Sequence, residues 1–275
     1  MNTIDHSIAA WLCAAGLALA AGATAAQDAR PEYKPRMGQP GRDVVWIPSP
    51  SDMVGRMLDL ARVTPRDYVI DLGSGDGRNV IAAARRGAQA LGVEYNPDLV
   101  ALSRREAEKA GVAGKATFVQ GDMFAADISR ATALVLFLIP DNLARLRPKF
   151  LGLRPGTRIV SNTYEIGGGW QPDDTEFVSG CASWCSLHLY IVPAKVEGAW
   201  RLGKGELTLW QEYQYLAGTY ELDGLSVQID NAYMRGDEIR FTLNKVEYAG
   251  RIDGDRMEGV AQGRGTDKWT AVRQR

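Results

Sequence analysis

Residues 69–78 read VIDLGSGDGR, a short apolar run followed at once by acids and glycines. The apolar run predicts a buried β-strand, because strands that are covered on both faces are apolar throughout. The glycines predict a tight turn, since they adopt positive φ angles and let backbone amides approach a ligand closely. Helical spacing begins at residue 79 and continues to residue 86. The stretch therefore predicts a strand-turn-helix unit, the kind that binds ligands at the carboxyl ends of parallel strands.

Strands and helices alternate on both sides of this turn. A helix is predicted from residue 51, with Ser51 and Asp52 as capping residues. Further strands are predicted at residues 90–94, 116–120, 133–139 and 157–162, a helix at residues 98–110, and two closing antiparallel strands at residues 177–180 and 187–192. This alternation is typical of an α/β fold with a doubly wound, mostly parallel sheet.

The pattern changes after Pro193, where closely spaced strands are separated by glycine and aspartate turns. Residues 194–275 are predicted to form a small all-β module built as a meander of hairpins. Its many Trp and Tyr side chains are expected to be mainly core, the alternative being a ligand cavity or an interface. The predicted organisation is a signal peptide (residues 1–26), an N-terminal approach (27–50), a ligand-binding domain (51–193) and the all-β module (194–275).

The N-terminal residues 8–26 carry no charged side chain and end in a run of small residues. This pattern predicts a secretory signal peptide and therefore an exported protein. An uncleaved anchor, a buried Ala-rich helix, and translation from Met37 with a cytoplasmic product are the alternatives. After export, Cys181 and Cys185 could form a disulfide bond or remain two half-buried thiols.

The composition is that of an average globular protein. The chain has 275 residues, a net charge of -1, 45% hydrophobic and 24% charged residues, which argues against disorder and against a polytopic membrane protein. No nucleic-acid partner is expected because the charge is balanced and no long basic block is present. No stable membrane span is expected, since alanine and glycine dominate the apolar N-terminal run. Three cysteines and two histidines do not predict a metal site, and the oligomeric state stays open.

Three carboxylates follow three successive predicted strands, namely Asp71, Glu94 and Asp122. A dinucleotide site is disfavoured, because the third glycine comes two residues after Gly75 rather than three. Asp71 and Asp76 would also flank the helix N-terminus, where like charges oppose a pyrophosphate. No Gly-Lys-Ser/Thr follows the glycines, so a P-loop is excluded. These features favour a cationic ligand without phosphate and disfavour a dehydrogenase.

At these residues the chain resembles the class I S-adenosylmethionine-dependent methyltransferases. The match is the acidic-x-Gly-x-Gly-x-Gly turn of residues 71–77. The resemblance implies that S-adenosyl-L-methionine is the cofactor and that three glycines shape the turn beneath its methionine part. The implied cofactor-binding residues are Asp71 at the amino group, Gly73, Gly75 and Gly77 in the turn, Glu94 at the ribose hydroxyls, Tyr95 and Met123 beside the adenine, and Asp122 at the adenine amino group.

Several other strings are similar to the protein-lysine methyltransferases that modify the ATP-synthase c-subunit. They are WIPSP (46–50), DLGSGDGR (71–78), EYNP (94–97), FLIP (137–140) and PGTRIVS (155–161). The resemblance implies transfer of a methyl group to a protein lysine. The alternatives are a small-molecule amine acceptor, which predicts a closed pocket instead of an open groove over Pro140, and an exported binding module without catalysis.

The residues expected to face the methyl group are those that follow the fourth and fifth strands. Asp141 and Asn142 come after the fourth strand, and Asn162 ends the fifth. Asp141 and Asn142 could equally cap the helix that follows. His188 lies in an apolar strand pattern and is expected to be structural.

Overall fold

Five parallel strands form the centre of the sheet that carries the glycine-rich turn. The computed structural model of the protein describes residues 33–274, and the predicted signal peptide lies outside these residues. The helices are α1 (Ser51–Leu60), α2 (Arg78–Arg85), α3 (Pro97–Lys109) and α4 (Pro140–Phe150). The strands of this first sheet are β1 (Tyr68–Leu72), β2 (Gln89–Glu94), β3 (Ala116–Gln120), β4 (Ala133–Leu136), β5 (Arg158–Asn162), β6 (Asp174–Phe177) and β7 (Ser186–Ile191).

The strand order of this sheet is β3-β2-β1-β4-β5-β7-β6, with β7 antiparallel to both of its neighbours. Alternate residues of each central strand face opposite layers. On one face Val69 and Val135 pack with residues of α1, α2 and α3, and on the other Ile70 and Leu134 pack with residues of α4. The predicted doubly wound, mostly parallel sheet is therefore confirmed. This topology brings the carboxyl ends of β1, β2 and β3 to one edge of the sheet.

Three local predictions were wrong. The first closing strand is Asp174–Phe177 and not residues 177–180, because this polar edge strand pairs on one side only and lacks an apolar pattern. The fourth strand ends at Leu136, since Ile139 has extended backbone angles and becomes the N-cap of α4. Neither Ser51 nor Asp52 caps α1, which begins after Pro50 without a side-chain cap.

The C-terminal strands form a second sheet that closes into a barrel. These strands are β8 (Gly198–Leu202), β9 (Gly205–Glu212), β10 (Tyr215–Leu222), β11 (Leu225–Gln228), β12 (Asp230–Arg235), β13 (Glu238–Leu243), β14 (Val246–Asp253), β15 (Arg256–Gln262) and β16 (Thr266–Arg273). Pairing of β9 with β10 closes the ring, and β11 pairs with the same edge of β10 as β12 does. The aromatic residues of the module are of two kinds. Trp200 and Trp269 are buried in the barrel core, whereas Trp210 and Tyr215 are exposed. The predicted all-β module is confirmed as a barrel.

The barrel packs against the loop that follows β5. The Trp170 ring is fully buried and lies between Tyr190 of the first sheet and Tyr213 of the barrel, with ring centroids 5.0 and 5.9 Å away. The hydroxyl of Tyr213 donates a hydrogen bond of 2.7 Å to the backbone oxygen of Gly168. Residues from Lys34 onward accordingly belong to one compact unit. No helix among residues 33–274 is long and apolar enough to cross a membrane.

Candidate active site

The glycine-rich turn leads directly from β1 into α2. Gly73, Gly75 and Gly77 have φ angles of 71°, 56° and 81°, which side chains with a Cβ rarely adopt. Gly77 is the N-cap of α2, and a Cβ there would lie 2.6 Å from the ring of Phe118. A Cβ on Gly75 would lie 2.6 Å from the indole nitrogen of Trp46. The turn is therefore packed from below by β3 and from above by the N-terminal segment.

Glu94 connects the turn to the end of β2. One of its carboxylate oxygens accepts a hydrogen bond of 2.9 Å from the backbone N–H of Gly75, and the other accepts one of 2.9 Å from that of Asn96. The backbone N–H of Gly73 donates to the oxygen of Val93 at 2.8 Å. The ends of β1 and β2 are thus joined by hydrogen bonds, and Glu94 is held in a fixed orientation.

Asp71 is a buried carboxylate with a neutral hydrogen-bond partner. Its side chain is 3% exposed and accepts a hydrogen bond of 3.0 Å from the amide of Asn79. Burial raises the pKa of Asp71 well above its usual range, and the nearby charges of Glu94 and Asp76 raise it further. A ligand ammonium would stabilise this carboxylate, because it would offset the repulsion from two other acids.

Asp76 is paired within the protein. Its two oxygens accept hydrogen bonds from Arg78, at 2.9 Å from Nε and 2.6 Å from one terminal nitrogen. The other terminal nitrogen of Arg78 donates to the backbone oxygen of Ser49 at 2.6 Å. Arg78 therefore neutralises Asp76 and attaches the N-terminal segment to the turn, whereas the hydrogen bond that Asp71 accepts comes from the neutral amide of Asn79.

Asp122 begins the turn that follows β3. One oxygen accepts a hydrogen bond of 2.8 Å from the backbone N–H of Phe124, and the other forms a salt bridge of 2.9 Å with Arg42. The Phe124 hydrogen bond and the Arg42 charge lower the pKa of Asp122. The guanidinium carbon of Arg42 also lies 4.5 Å from the ring centroid of Tyr95. Asp122 and Tyr95 therefore share one cation.

One cavity brings together most of the predicted cofactor residues. Gly73, Glu94, Tyr95, Asp122 and Met123 line it, together with residues 39–47, which we call the strap. An adjoining recess is lined by Asp71, Gly73 and Gly75, and the two share Trp46 and Phe137. Gly77, the N-cap of α2, lines neither the cavity nor the recess. Asp71, Glu94 and Asp122 thus line two adjoining spaces, and their individual contacts to a cofactor stay predictions.

The three predicted catalytic residues do not line the cavity or the recess. Asp141 is exposed, whereas Asn142 and Asn162 are buried and line neither the cavity nor the recess. Neither Asp141 nor Asn142 caps α4, because its N-cap is Ile139 and no side-chain cap is formed. The side-chain nitrogens of Asn142 and Asn162 are both buried without a hydrogen-bond partner. A capping role of Asp141 and Asn142 is excluded, and the role of all three residues toward the methyl acceptor stays a prediction.

A disulfide-closed loop connects β6 to β7. Cys181 and Cys185 form the disulfide bond that the sequence left open. Within this loop Trp184 makes an edge contact with Phe137, at 5.6 Å between ring centroids. His188 is buried in β7, with its ring nitrogens 3.2 Å from the Thr175 hydroxyl and 3.3 Å from the Thr163 backbone oxygen. These contacts give His188 a structural environment, as expected.

Sequence reasoning missed Arg42, Trp46 and Phe137 as residues of the site. Two of them lie in strings that carried the resemblance, WIPSP and FLIP, and that was the available signal. Arg42 has no such signal, because its contact with Asp122 joins residues 80 positions apart. The described residues 33–274 contain no cluster of three or more potential metal ligands.

The residues present fit S-adenosyl-L-methionine. The carboxyl of Asp71, whose hydrogen-bond partner is neutral, suits its ammonium, the glycine turn allows close approach of the backbone, and Tyr95 and Met123 offer an aromatic and an apolar side chain for a flat nucleobase. The fold and site define a class I S-adenosylmethionine-dependent methyltransferase.

Comparison with known proteins identifies the family. A family model described as the ANTKMT methyltransferase domain matches residues 71–174. A protein-lysine N-methyltransferase of Saccharolobus islandicus is 40% identical over 152 residues, which cover 54% of this chain and 94% of that protein. The chain belongs to the same family as this protein-lysine N-methyltransferase, and its cofactor is S-adenosyl-L-methionine.

Two further similarities each cover about half of the chain. A Mus musculus enzyme, the lysine N-methyltransferase of the ATP synthase c-subunit, is 37% identical over 131 residues, or 47% of this chain. The match spans about half, 52%, of that relative. A crystal structure described as an RNA methyltransferase from Salinibacter ruber, in complex with S-adenosyl-L-homocysteine, is 44% identical with a TM-score of 0.52. It covers 55% of this chain and 96% of that one.

Proposed function

We propose that the protein transfers a methyl group from S-adenosyl-L-methionine to the side-chain amine of a protein lysine. The observation that carries this proposal is the convergence of Asp71, Glu94 and Asp122 around two adjoining spaces. The names of the relatives support the lysine acceptor, since both the Saccharolobus islandicus and the Mus musculus proteins are described as lysine N-methyltransferases.

The chain offers a partner for each part of the cofactor. Asp71 would pair with the ammonium, and the Glu94 carboxylate would accept from the ribose hydroxyls. Tyr95 and Met123 would contact the adenine, whose amino group would donate to Asp122. The cofactor supplies an electrophilic methyl group on a sulfonium, so the protein contributes chiefly by positioning the acceptor in line with it.

A lysine acceptor must lose its proton before its lone pair can react. Removal from water favours the neutral amine, because burial disfavours an ammonium. Phe137 and Trp184 supply an apolar wall at the end of β4, and the strap covers the cavity from the other side. Asp141, exposed at the start of α4, would take up the released proton and pass it to water, while the buried Asn142 and Asn162 would shape the ends of α4 and β5 behind it.

A macromolecular acceptor agrees with the surface around α4. Pro140 and Asp141 are both exposed at the start of this helix, which leaves the acceptor side open at that point. A small-molecule acceptor favours a closed pocket there. The name of the Salinibacter ruber protein makes RNA the second candidate acceptor. The net charge of -1 disfavours RNA, because polyanion binding depends on basic side chains.

We also propose that the protein is exported from the cytoplasm. Export is supported by the uncharged residues 8–26 and by the Cys181–Cys185 disulfide, since such bonds persist mainly in oxidising compartments.

A labelling experiment tests the acceptor. Purified protein and host fractions are incubated with methyl-labelled S-adenosyl-L-methionine, and each labelled fraction is treated separately with protease and with ribonuclease. We expect protease-sensitive label and, by mass spectrometry, N-methylated lysine. The Asp71→Asn variant is the control and should give little label. Label that only ribonuclease removes, or label recovered in a small molecule, would contradict the lysine proposal.

A further inference from the structure

The strap is a closed loop of backbone over the cavity. The N–H of Trp46 donates to the oxygen of Gln39 at 2.9 Å, and the N–H of Gly38 donates to the oxygen of Trp46 at 2.9 Å. These two bonds hold the ends of the loop together. The Trp46 ring covers Gly75, so residues 39–47 extend from the glycine turn to the end of β3.

Arg42 occupies the far end of this loop. Its guanidinium forms the 2.9 Å salt bridge with Asp122 and lies 4.5 Å from the ring centroid of Tyr95. A flat cation that donates to a carboxylate and lies over an aromatic ring makes the same kinds of contact as an adenine with its amino group. The other oxygen of Asp122 is already engaged by the N–H of Phe124. Arg42 therefore uses the groups that the proposed function gives to the nucleobase.

The volume of the cavity also indicates that the strap must move when the cofactor binds. The cavity beneath the strap is about 100 Å³, whereas pockets for ligands of nucleoside size and larger measure roughly 300–1,000 Å³. Admission of an adenosyl group therefore requires the strap to move away. The contacts that oppose this movement at the adenine end are those of Arg42 with Asp122 and Tyr95.

We propose that the strap is a gate and that Arg42 competes with the adenine of the cofactor for Asp122 and Tyr95. This inference rests on the proposed function, because it takes these two residues as the adenine site. Release of Arg42 from Asp122 must precede or accompany nucleoside binding. Cofactor affinity is consequently lower than the cavity residues alone would give.

The size of the effect follows from the exposure of the pair. The side chains of Arg42 and Asp122 are 43% and 31% exposed, so their salt bridge is weak and is screened by salt. Exposed pairs of this kind change an equilibrium by about two- to fivefold. Removing the Arg42 charge should therefore tighten nucleoside binding by about that factor.

The test measures S-adenosyl-L-homocysteine binding by titration calorimetry, at low and at high ionic strength. This ligand is a zwitterion whose contact with Asp71 is common to all three proteins, so the salt dependence of the difference between wild type and Arg42→Gln reports on the Arg42–Asp122 pair. The proteins compared are wild type, Arg42→Gln, and the matched control Arg36→Gln, which removes an exposed charge just before the strap. We expect Arg42→Gln to bind about two- to fivefold more tightly at low salt. That advantage should shrink at high salt, and Arg36→Gln should bind like wild type.

Two results would overturn the gate, and they differ from a failure of the proposed function. Equal affinities of wild type and Arg42→Gln at both salt concentrations would show that Arg42 does not compete. Weaker binding by Arg42→Gln would show that Arg42 holds the bound nucleoside instead. Absence of binding in all three proteins would remove the cofactor site itself, and the gate with it.

Discussion

Replacing Asp71 by asparagine separates cofactor binding from folding. Asparagine has nearly the same shape and can still accept the 3.0 Å hydrogen bond from Asn79, so the end of β1 should keep its geometry. Hydrogen bonds to charged groups contribute about 1.5–3 kcal/mol. Because Asp71 is only 3% exposed, solvent screening does not reduce this contribution. We therefore expect S-adenosyl-L-homocysteine to bind Asp71→Asn about 10- to 150-fold more weakly.

The pH dependence gives the same experiment a second readout. Burial raises the pKa of Asp71, so its ionised form increases as the pH rises through that value. Affinity for the ligand ammonium should rise over the same interval in wild type and stay level in Asp71→Asn. Folding should respond in the opposite sense, because a carboxyl with a raised folded-state pKa loses stability as it ionises. At pH 7 the variant should be no less stable than wild type.

Calorimetric titrations between pH 5 and pH 8, with denaturant unfolding of both proteins, measure these quantities. Equal affinity in the two proteins across this range would refute the assignment of Asp71 to the ammonium. A variant that is clearly less stable than wild type would show that the carboxylate serves the fold instead.

Three further predictions concern Asp173 just before β6, the contact of Tyr213 with the loop after β5, and the disulfide loop. Burial raises the pKa of Asp173 to about 6 although the N–H of Ile191 donates to it, so the folded protein holds an extra proton between the ordinary value of 3.8 and 6. This shift corresponds to at most about 3 kcal/mol, which partial exposure reduces to about 1–2 kcal/mol. In urea unfolding, the free energy of unfolding of Asp173→Asn relative to wild type should rise by that amount from pH 4 to pH 7. A difference between the two proteins that does not change with pH would contradict this prediction. Tyr213→Phe removes the hydrogen bond to the loop after β5 and should lower the free energy of unfolding by about 0.5–1.5 kcal/mol, whereas an unchanged midpoint would show the bond to be dispensable. Protein from the native host should resist thiol alkylation at Cys181 and begin after residue 26; free thiols, or an N-terminus at Met37, would argue against export.

Local sequence patterns were sufficient for most of the first sheet. The glycine turn and the alternation of apolar strands with amphipathic helices depend on residues close together in the chain, so they can be read without a structure. The exceptions have non-local causes. Asp174–Phe177 becomes a strand because β7 offers it a partner, and its own residues are mostly polar. Asp141 and Asn142 have capping side chains, yet the extended backbone of Ile139 fixes the start of α4.

The site was predictable where it follows strand ends and unpredictable where it depends on the strap. Asp71, Glu94 and Asp122 could be placed together from topology alone, because parallel strands end at one edge. The sequence predicts only an N-terminal approach for the strap, since a proline- and glycine-containing stretch gives no periodic signal. Its position over the cavity depends on Arg42 and Trp46, whose partners are far away in sequence.

The barrel begins and ends at neighbouring points. Its last strand pairs with its first, and the N–H of Gln274 donates to the oxygen of Ala199 at 2.8 Å. Entry and exit of the chain are therefore adjacent, as in units that can be attached to or inserted into a host protein without rearranging it. The family model ends at residue 174, so the barrel lies wholly outside the matched part of the chain, and its adjacent ends need only one short connection to the sheet that carries the site.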